Sequence, residues 1–169
     1  MTNKFYRWLR EGLFFLLILV IFILLLDNFR APQAPYNFAN DTVITLAEKQ
    51  VTLAELSAKQ PLLLYFWASR CGICRFTSPK IADYAANGGN VLTVAFRSGD
   101  DAKVQHYLRK KHFMMPTVND PTGAHAAQWN ISVTPTFVII YKGKVVSTTT
   151  GWSSLIGLKF RLWWSNYMN

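Results

Sequence analysis

Apolar residues are distributed along the chain in segments of different length, and the lengths separate their roles. Residues 12–26 form one uncharged run of mostly Leu, Ile, Val and Phe, bounded by Glu11 and Asp27. Residues 62–67, 91–96 and 137–141 are short, near-continuous apolar runs, the pattern of buried strands covered on both faces. Residues 74–86 read as a helix that stops at Asn87-Gly88-Gly89, glycine being the residue expected just past a helix end. Pro79 falls inside it and is expected to kink it. Residues 100–111 read as a second helix, with Asp100 and Asp101 at its start and Arg109-Lys110-Lys111 at its end, as the helix dipole favours.

Weaker signals fill the gaps. Residues 43–46 and 51–53 suggest short strands around a turn, and residues 53–59 a short helical turn stopped before Pro61. A short strand is expected near 115–118, then a turn at Asp120-Pro121-Thr122-Gly123 and a short helix over 124–129. Lys142-Gly143 turns the 137–141 strand into another over 144–149. Ser153 or Ser154 caps a final helix, 155–167. Strands alternating with helices, followed by a hairpin and a closing helix, predict an α/β fold: a mixed central sheet with helices on both faces.

The long apolar run changes the picture of where this domain works. A helix over residues 12–26 spans ~22 Å at ~1.5 Å per residue, short of a ~30 Å hydrocarbon core. Phe5, Tyr6, Trp8 and Leu9 extend it if Arg7 and Arg10 snorkel to the headgroups. Tyr6 and Trp8 suit an interfacial belt. A cleavable signal peptide is the alternative. It has its basic region and apolar core, but Ala31-Pro32-Gln33-Ala34 is a weak cleavage site. An uncleaved signal anchor is favoured. Positive residues precede it, so the N-terminus stays in the cytoplasm and the remainder crosses. The expected organisation is a basic cytoplasmic N-terminus over 1–11, a transmembrane anchor over 12–28, a linker over 29–36 and a globular domain over 37–169.

The formal charge of +9 is high for 169 residues. A basic stripe can mean nucleic acid, but no nucleic-acid motif accompanies this one. A solvated helix face or attraction to anionic membrane fits better.

The candidate chemistry lies just after the first buried strand. Cys71-Gly72-Ile73-Cys74 holds both cysteines of the chain. Strand, turn and helix together place Cys71 at a helix N-terminus, where free N–H groups and a partial positive charge favour a thiolate. Sites of this kind bring a cysteine from ~8.5 down to roughly 3.5–7.5. Arg70 and Arg75 flank the pair and push the same way. Cys71 is the expected nucleophile and Cys74 the resolving thiol. A structural disulfide is the plainer alternative, but closing so short a loop stabilises by only ~2 kcal/mol in the chain-entropy model. Structural zinc wants four ligands, and His106, His112 and His125 are not spaced as a second ligand pair. No metal and no dissociable cofactor is expected. Met114-Met115 and Trp163-Trp164 are read as packing, the tryptophans as covering the sheet, and His125 as a surface residue.

These motifs resemble the thioredoxin superfamily. Phe66-Trp67-Ala68-Ser69 precedes the cysteine pair, and Pro79 follows it. Further on come Asp120-Pro121-Thr122-Gly123, Trp129-Asn130-Ile131 and Thr134-Pro135-Thr136-Phe137, with Gly143 and Gly151 beyond. The membrane-anchored TlpA/ResA/DsbE-like branch is the nearest in pattern, and within it the suppressor-of-copper-sensitivity D (ScsD-like) proteins. The resemblance covers residue 36 onward. It implies a thioredoxin-like fold and a cis Thr134–Pro135 bond beside the cysteines. It implies that Thr134 and Pro135 meet an extended substrate strand, with Trp67 in the substrate site and Gly72 and Ile73 tuning the thiolate. Two departures stand out. The buried acid of thioredoxin is replaced by Tyr65, and the glutamate that relatives often carry three residues after the second cysteine is replaced by Thr77.

The function expected is a protein disulfide oxidoreductase on the inner membrane, facing the periplasm and acting more as reductase than oxidase. Its partners would be substrate proteins with disulfides or thiols and a DsbD/ScsB-like transmembrane electron donor. The competing class is a Cu(I)-binding or copper-tolerance protein using the same two thiols; a redox-inert membrane adaptor is a third.

Overall fold

Alternation along one strand organises the domain. In β3 (Leu62–Trp67) every side chain is buried, and successive residues point to opposite faces. Leu63, Tyr65 and Trp67 enter one core, while Leu62, Leu64 and Phe66 enter the other. A strand with no polar residue to turn outward can only sit centrally, and it does. The five-stranded sheet has the order β5-β4-β3-β6-β7, formed by β4 (Val91–Phe96), β5 (Thr117–Asp120), β6 (Thr136–Tyr141) and β7 (Lys144–Thr150) with β3. β4 pairs parallel with β3 and β5, whereas β6 is antiparallel to β3 and β7. The sheet is therefore mixed, as the element pattern predicts. β1 (Thr42–Ile44) and β2 (Gln50–Thr52) make a separate antiparallel pair.

This computed structural model describes residues 7, 8, 10–19, 21 and 32–168. The chain divides into two compact units, residues 1–31 and 32–169. In the first, residues 10–19 are helical and exposed, with Arg7 and Glu11 paired at 3.8 Å. Among the described residues no helix is long and apolar enough to cross a membrane. The rest of the expected anchor, residues 20 and 22–28, lies outside them. In the second unit Gln33 already donates its N–H to the Trp129 carbonyl at 3.0 Å.

Helices cover both faces of the sheet. α2 (Cys74–Ala86), α3 (Asp101–Lys111) and α5 (Leu155–Met168) supply Ile81, Ala82, Val104, Leu158 and Leu162 to one core. α1 (Leu53–Ser57) and α4 (Ala124–Gln128) supply Leu53 and Ala126 to the other. Capping explains several boundaries. Thr52 and Glu55 form a reciprocal capping box at α1, Asp100 accepts from the Lys103 N–H at α3, and Ser154 accepts from the Gly157 N–H at α5. α2 continues as one element through Pro79.

Some expectations are corrected. The strand expected near 115–118 runs from Thr117 to Asp120. Pro116 has no N–H for a ladder, and its carbonyl instead accepts from the Thr93 N–H at 2.8 Å. Asp120, expected in a turn, is the last residue of β5. Met115 packs in the core but Met114 is exposed. Trp163 and Trp164 do not cover the sheet, because Leu158 and Leu162 occupy the inward face of α5 and leave both tryptophans outside. His125 is half-buried, since its backbone N–H is held by the buried Asp120 carboxylate.

Candidate active site

The cysteine pair sits where β3 hands over to α2. The Cys71 N–H donates to the Ala68 carbonyl at 3.1 Å, which turns the chain out of the strand. Ile73 precedes the first helical residue and offers no side-chain cap. Sulfur takes that place: the Cys74 N–H donates to Cys71 Sγ at 3.2 Å. One of the helix's free amides thus points at this sulfur, as expected from the sequence. Cys71 and Cys74 are joined as a disulfide. Cys71 is half-buried while Cys74 is only 2% exposed. Gly72 and Ile73 are both exposed, and a side chain built at Gly72 would meet nothing within 4 Å.

The segment before β6 closes over the same sulfur. The Thr134–Pro135 peptide bond is cis, and the Thr134 carbonyl oxygen lies 3.3 Å from Cys71 Sγ. Thr134 is half-buried and Pro135 buried, with Val133 exposed beside them.

Beneath the pair is a group of hydroxyls. The Tyr65 hydroxyl bonds Thr77 Oγ1 at 3.1 Å and Ser78 Oγ at 2.9 Å, and all three residues are buried. Tyr65 also stacks on Phe137, centroids 4.9 Å apart. Burial raises the Tyr65 pKa above its ordinary value, against the lowering effect of the Ser78 and Thr77 hydrogen bonds. The phenol therefore stays protonated at neutral pH. The trio holds no base of its own.

Residues 31–154 match the family model described as Redoxin. The chain is 41% identical over 164 residues to a thioredoxin-like protein of Haemophilus influenzae, covering 97% of this chain and 98% of that one. The chain belongs to the Redoxin family. It is a thioredoxin-like protein disulfide oxidoreductase. Redoxin-fold neighbours include a secreted Mycobacterium tuberculosis disulfide oxidoreductase homologous to Escherichia coli DsbE, at TM-score 0.63 and 24% identity over 75% of this chain and 97% of that one. Another is the exposed lipoprotein thioredoxin Etrx1 of Streptococcus pneumoniae, at TM-score 0.63 and 24% identity over 72% and 96%.

The Redoxin fold places the remaining expected residues differently from one another. Trp67 is wholly buried, stacks on Tyr107 at 5.3 Å and donates its Nε1–H to Thr93 Oγ1 at 3.2 Å. The last residue of a central strand points into the core, so the Trp67 indole packs beneath the site and reaches no solvent. Arg70 donates to the Arg97 carbonyl oxygen at 2.7 Å, which carries its head to the neighbouring loop. Arg75 is exposed, and its charge opposes the upward shift that burial gives the Tyr107 pKa.

Two features of this Redoxin site escape a reading by spacing. Ser78 completes the hydroxyl trio, and its only signal is its place one turn beyond Cys74. Asp120 is a buried carboxylate accepting from the His125 and Ala126 N–H groups at 3.2 and 2.9 Å. It fixes the turn into α4, and Gly123 within that turn has φ +85°, with room for no Cβ beside Arg97 and Phe96.

Proposed function

We propose that this chain is a membrane-tethered, periplasmic thiol–disulfide oxidoreductase of the ScsD-like branch, working as a reductase with Cys71 as nucleophile and Cys74 as resolving thiol. The observation that carries the roles is the asymmetry of the two sulfurs. Cys71 is half-buried with the Cys74 amide aimed at it, whereas Cys74 is 2% exposed. A substrate disulfide can meet only the first.

In the reduced protein the Cys71 thiolate attacks one sulfur of a substrate disulfide. A bond forms between Cys71 and that sulfur, and the other leaves as a thiolate that takes up a proton. Cys74 then gives up its proton and attacks Cys71 Sγ, expelling the second substrate thiolate. Two electrons have passed to the substrate, and the pair is left as the Cys71–Cys74 disulfide. A dithiol of a DsbD/ScsB-like transmembrane donor resets it by the same exchange in reverse. Thr134 and Pro135 would align the substrate backbone, and exposed Ile73, Phe76 and Val133 would give its side chains an apolar rim.

The reducing direction is supported by the dipeptide Gly72-Ile73, which lacks the histidine of strongly oxidising relatives. The apolar run over residues 12–26 and the basic residues before it support the anchor and its orientation.

The test is a Cys74→Ser variant expressed in its own cell. Mixed disulfides through Cys71 should accumulate, and their absence would remove the proposed mechanism. Equilibration with glutathione reads direction: a potential at or above about −150 mV, near the ~−120 mV of a strong oxidant, would overturn the reductase assignment. A topology reporter fused after residue 169 reads the compartment. Tight one-to-one Cu(I) binding by the reduced protein, without insulin reduction, would favour copper handling instead.

A further inference from the structure

The last helix carries a second surface that the exchange reaction does not use. α5 is apolar on two opposite faces. Leu158 and Leu162 are buried against the sheet, while Ile156, Phe160, Trp163, Trp164 and Tyr167 are 48–82% exposed. Their spacing of four, three, one and three residues draws them into one stripe along the helix. Neighbouring rings in the stripe stack on each other, Trp163 on Tyr167 at 5.9 Å and Phe160 on Trp164 at 6.2 Å. Contiguous exposed apolar patches of this kind mark interaction sites. The helix is also held fast with the stripe outward: Arg161 reaches across to Ser147 Oγ, the Thr148 carbonyl and Thr149 Oγ1 on β7.

Charge and ring chemistry identify what the stripe meets. The chain beyond Asp120 contains Lys142, Lys144, Lys159 and Arg161 and no acidic residue, although the chain as a whole holds nine. Tryptophan and tyrosine have an apolar body and a polar tip, the combination enriched where headgroups meet acyl chains. An aromatic face on a helix whose only charged residues are the cations Lys159 and Arg161 is the pattern of a helix lying in an anionic interface. We propose that α5 seats its Ile156–Tyr167 stripe at the surface of an anionic bilayer. The inference rests on the anchored reading above, which brings a bilayer within reach of the domain.

The full chain, in a Trp8→Phe background, is reconstituted in phosphatidylethanolamine–phosphatidylglycerol vesicles with brominated acyl chains. Tryptophan emission should be quenched, and adding Trp163→Phe and Trp164→Phe should remove most of that quenching, because Trp67 and Trp129 are buried, with insulin reduction unchanged as evidence of a native fold. A benzophenone amino acid at position 163 should yield lipid adducts. Protein that floats with the vesicles but shows no quenching from Trp163 and Trp164 overturns the proposal and leaves the anchor standing. A benzophenone adduct with a second copy of the chain, or with another protein, also overturns it. If the chain does not float, the anchor fails by itself. The stripe is then read by adding the protein to preformed vesicles: binding to anionic but not phosphatidylcholine vesicles, lost in the Phe160→Ser/Trp163→Ser/Trp164→Ser variant, upholds it, and no binding overturns it.

Discussion

Cys71 Sγ and the Thr134 carbonyl oxygen stand 3.3 Å apart. In the disulfide that sulfur has no proton, so the contact is one of packing. After reduction its meaning depends on ionisation. A thiol could donate to the oxygen, whereas a thiolate would face a partial negative charge. The Cys74 N–H, 3.2 Å from the same sulfur, acts the other way and favours the anion. The helix terminus adds to the second effect.

The balance predicts that reduced Cys71 reacts with iodoacetamide along a pH curve whose midpoint lies below the ~8.5 of a free cysteine. Mass spectrometry of the alkylated protein assigns the sulfur. A midpoint at or above that of a model peptide would mean that the helix end does not activate it.

Tyr65 gives a pH dependence of a different kind. Burial raises its pKa above 10.0, so the folded chain keeps the phenolic proton at a pH where the unfolded chain releases it. Its contribution to stability is whole below pH 10 and is lost as pH rises above that value. Tyr65→Phe should cost about 1 kcal/mol at neutral pH by removing the hydroxyl bonded to Ser78. It should also flatten the alkaline limb of stability. Tyr84 and Tyr107, likewise raised by burial, retain part of that limb. Urea melts from pH 7 to 11 decide the matter; parallel curves for the two proteins would count against this role.

Asp120, buried at the end of β5, should be a costly position to alter. Asp120→Ala leaves the His125 and Ala126 N–H groups without their carboxylate and should lower stability by about 2–3 kcal/mol. Asp120→Asn keeps one acceptor oxygen and should lose less. Denaturant midpoints for the two variants test the order, and equal losses would contradict it.

Trp67 separates support from contact. Trp67→Phe removes the bond to Thr93 and part of the packing on Tyr107, for an expected loss of about 1–3 kcal/mol. The KM for a disulfide substrate should stay the same, because the indole reaches no solvent. Phe76→Ser should do the opposite, raising KM with little effect on stability. A raised KM in Trp67→Phe would restore that residue to the substrate surface.

The central strands were legible because unbroken apolar runs leave few alternatives: residues 62–67 and 91–96 became β3 and β4 without a shift. The cysteine pair was legible for a similar reason, since its place between strand and helix follows from the two flanking patterns. Pro116 displaced β5, because one missing N–H outweighed the apolar character of Met115. The hydroxyl trio brings Tyr65 together with Thr77 and Ser78, twelve and thirteen residues away, and depends on how α2 packs over β3. The outward tryptophans of α5 were hidden by a helix apolar on both sides, where composition alone cannot tell which face meets the sheet.

The loops leaving β3 and β4 are laced to one another by the Ser69 N–H on Ser98 Oγ at 3.0 Å and by Arg70 on the Arg97 carbonyl at 2.7 Å. Neither tie involves a sulfur, so gaining or losing two electrons leaves both intact. The chain just ahead of the nucleophile is thus tied to its neighbouring loop by bonds that the sulfur chemistry does not itself break. Such a centre should cycle with little reorganisation, its poise set by proton and thiolate chemistry rather than by a change of shape.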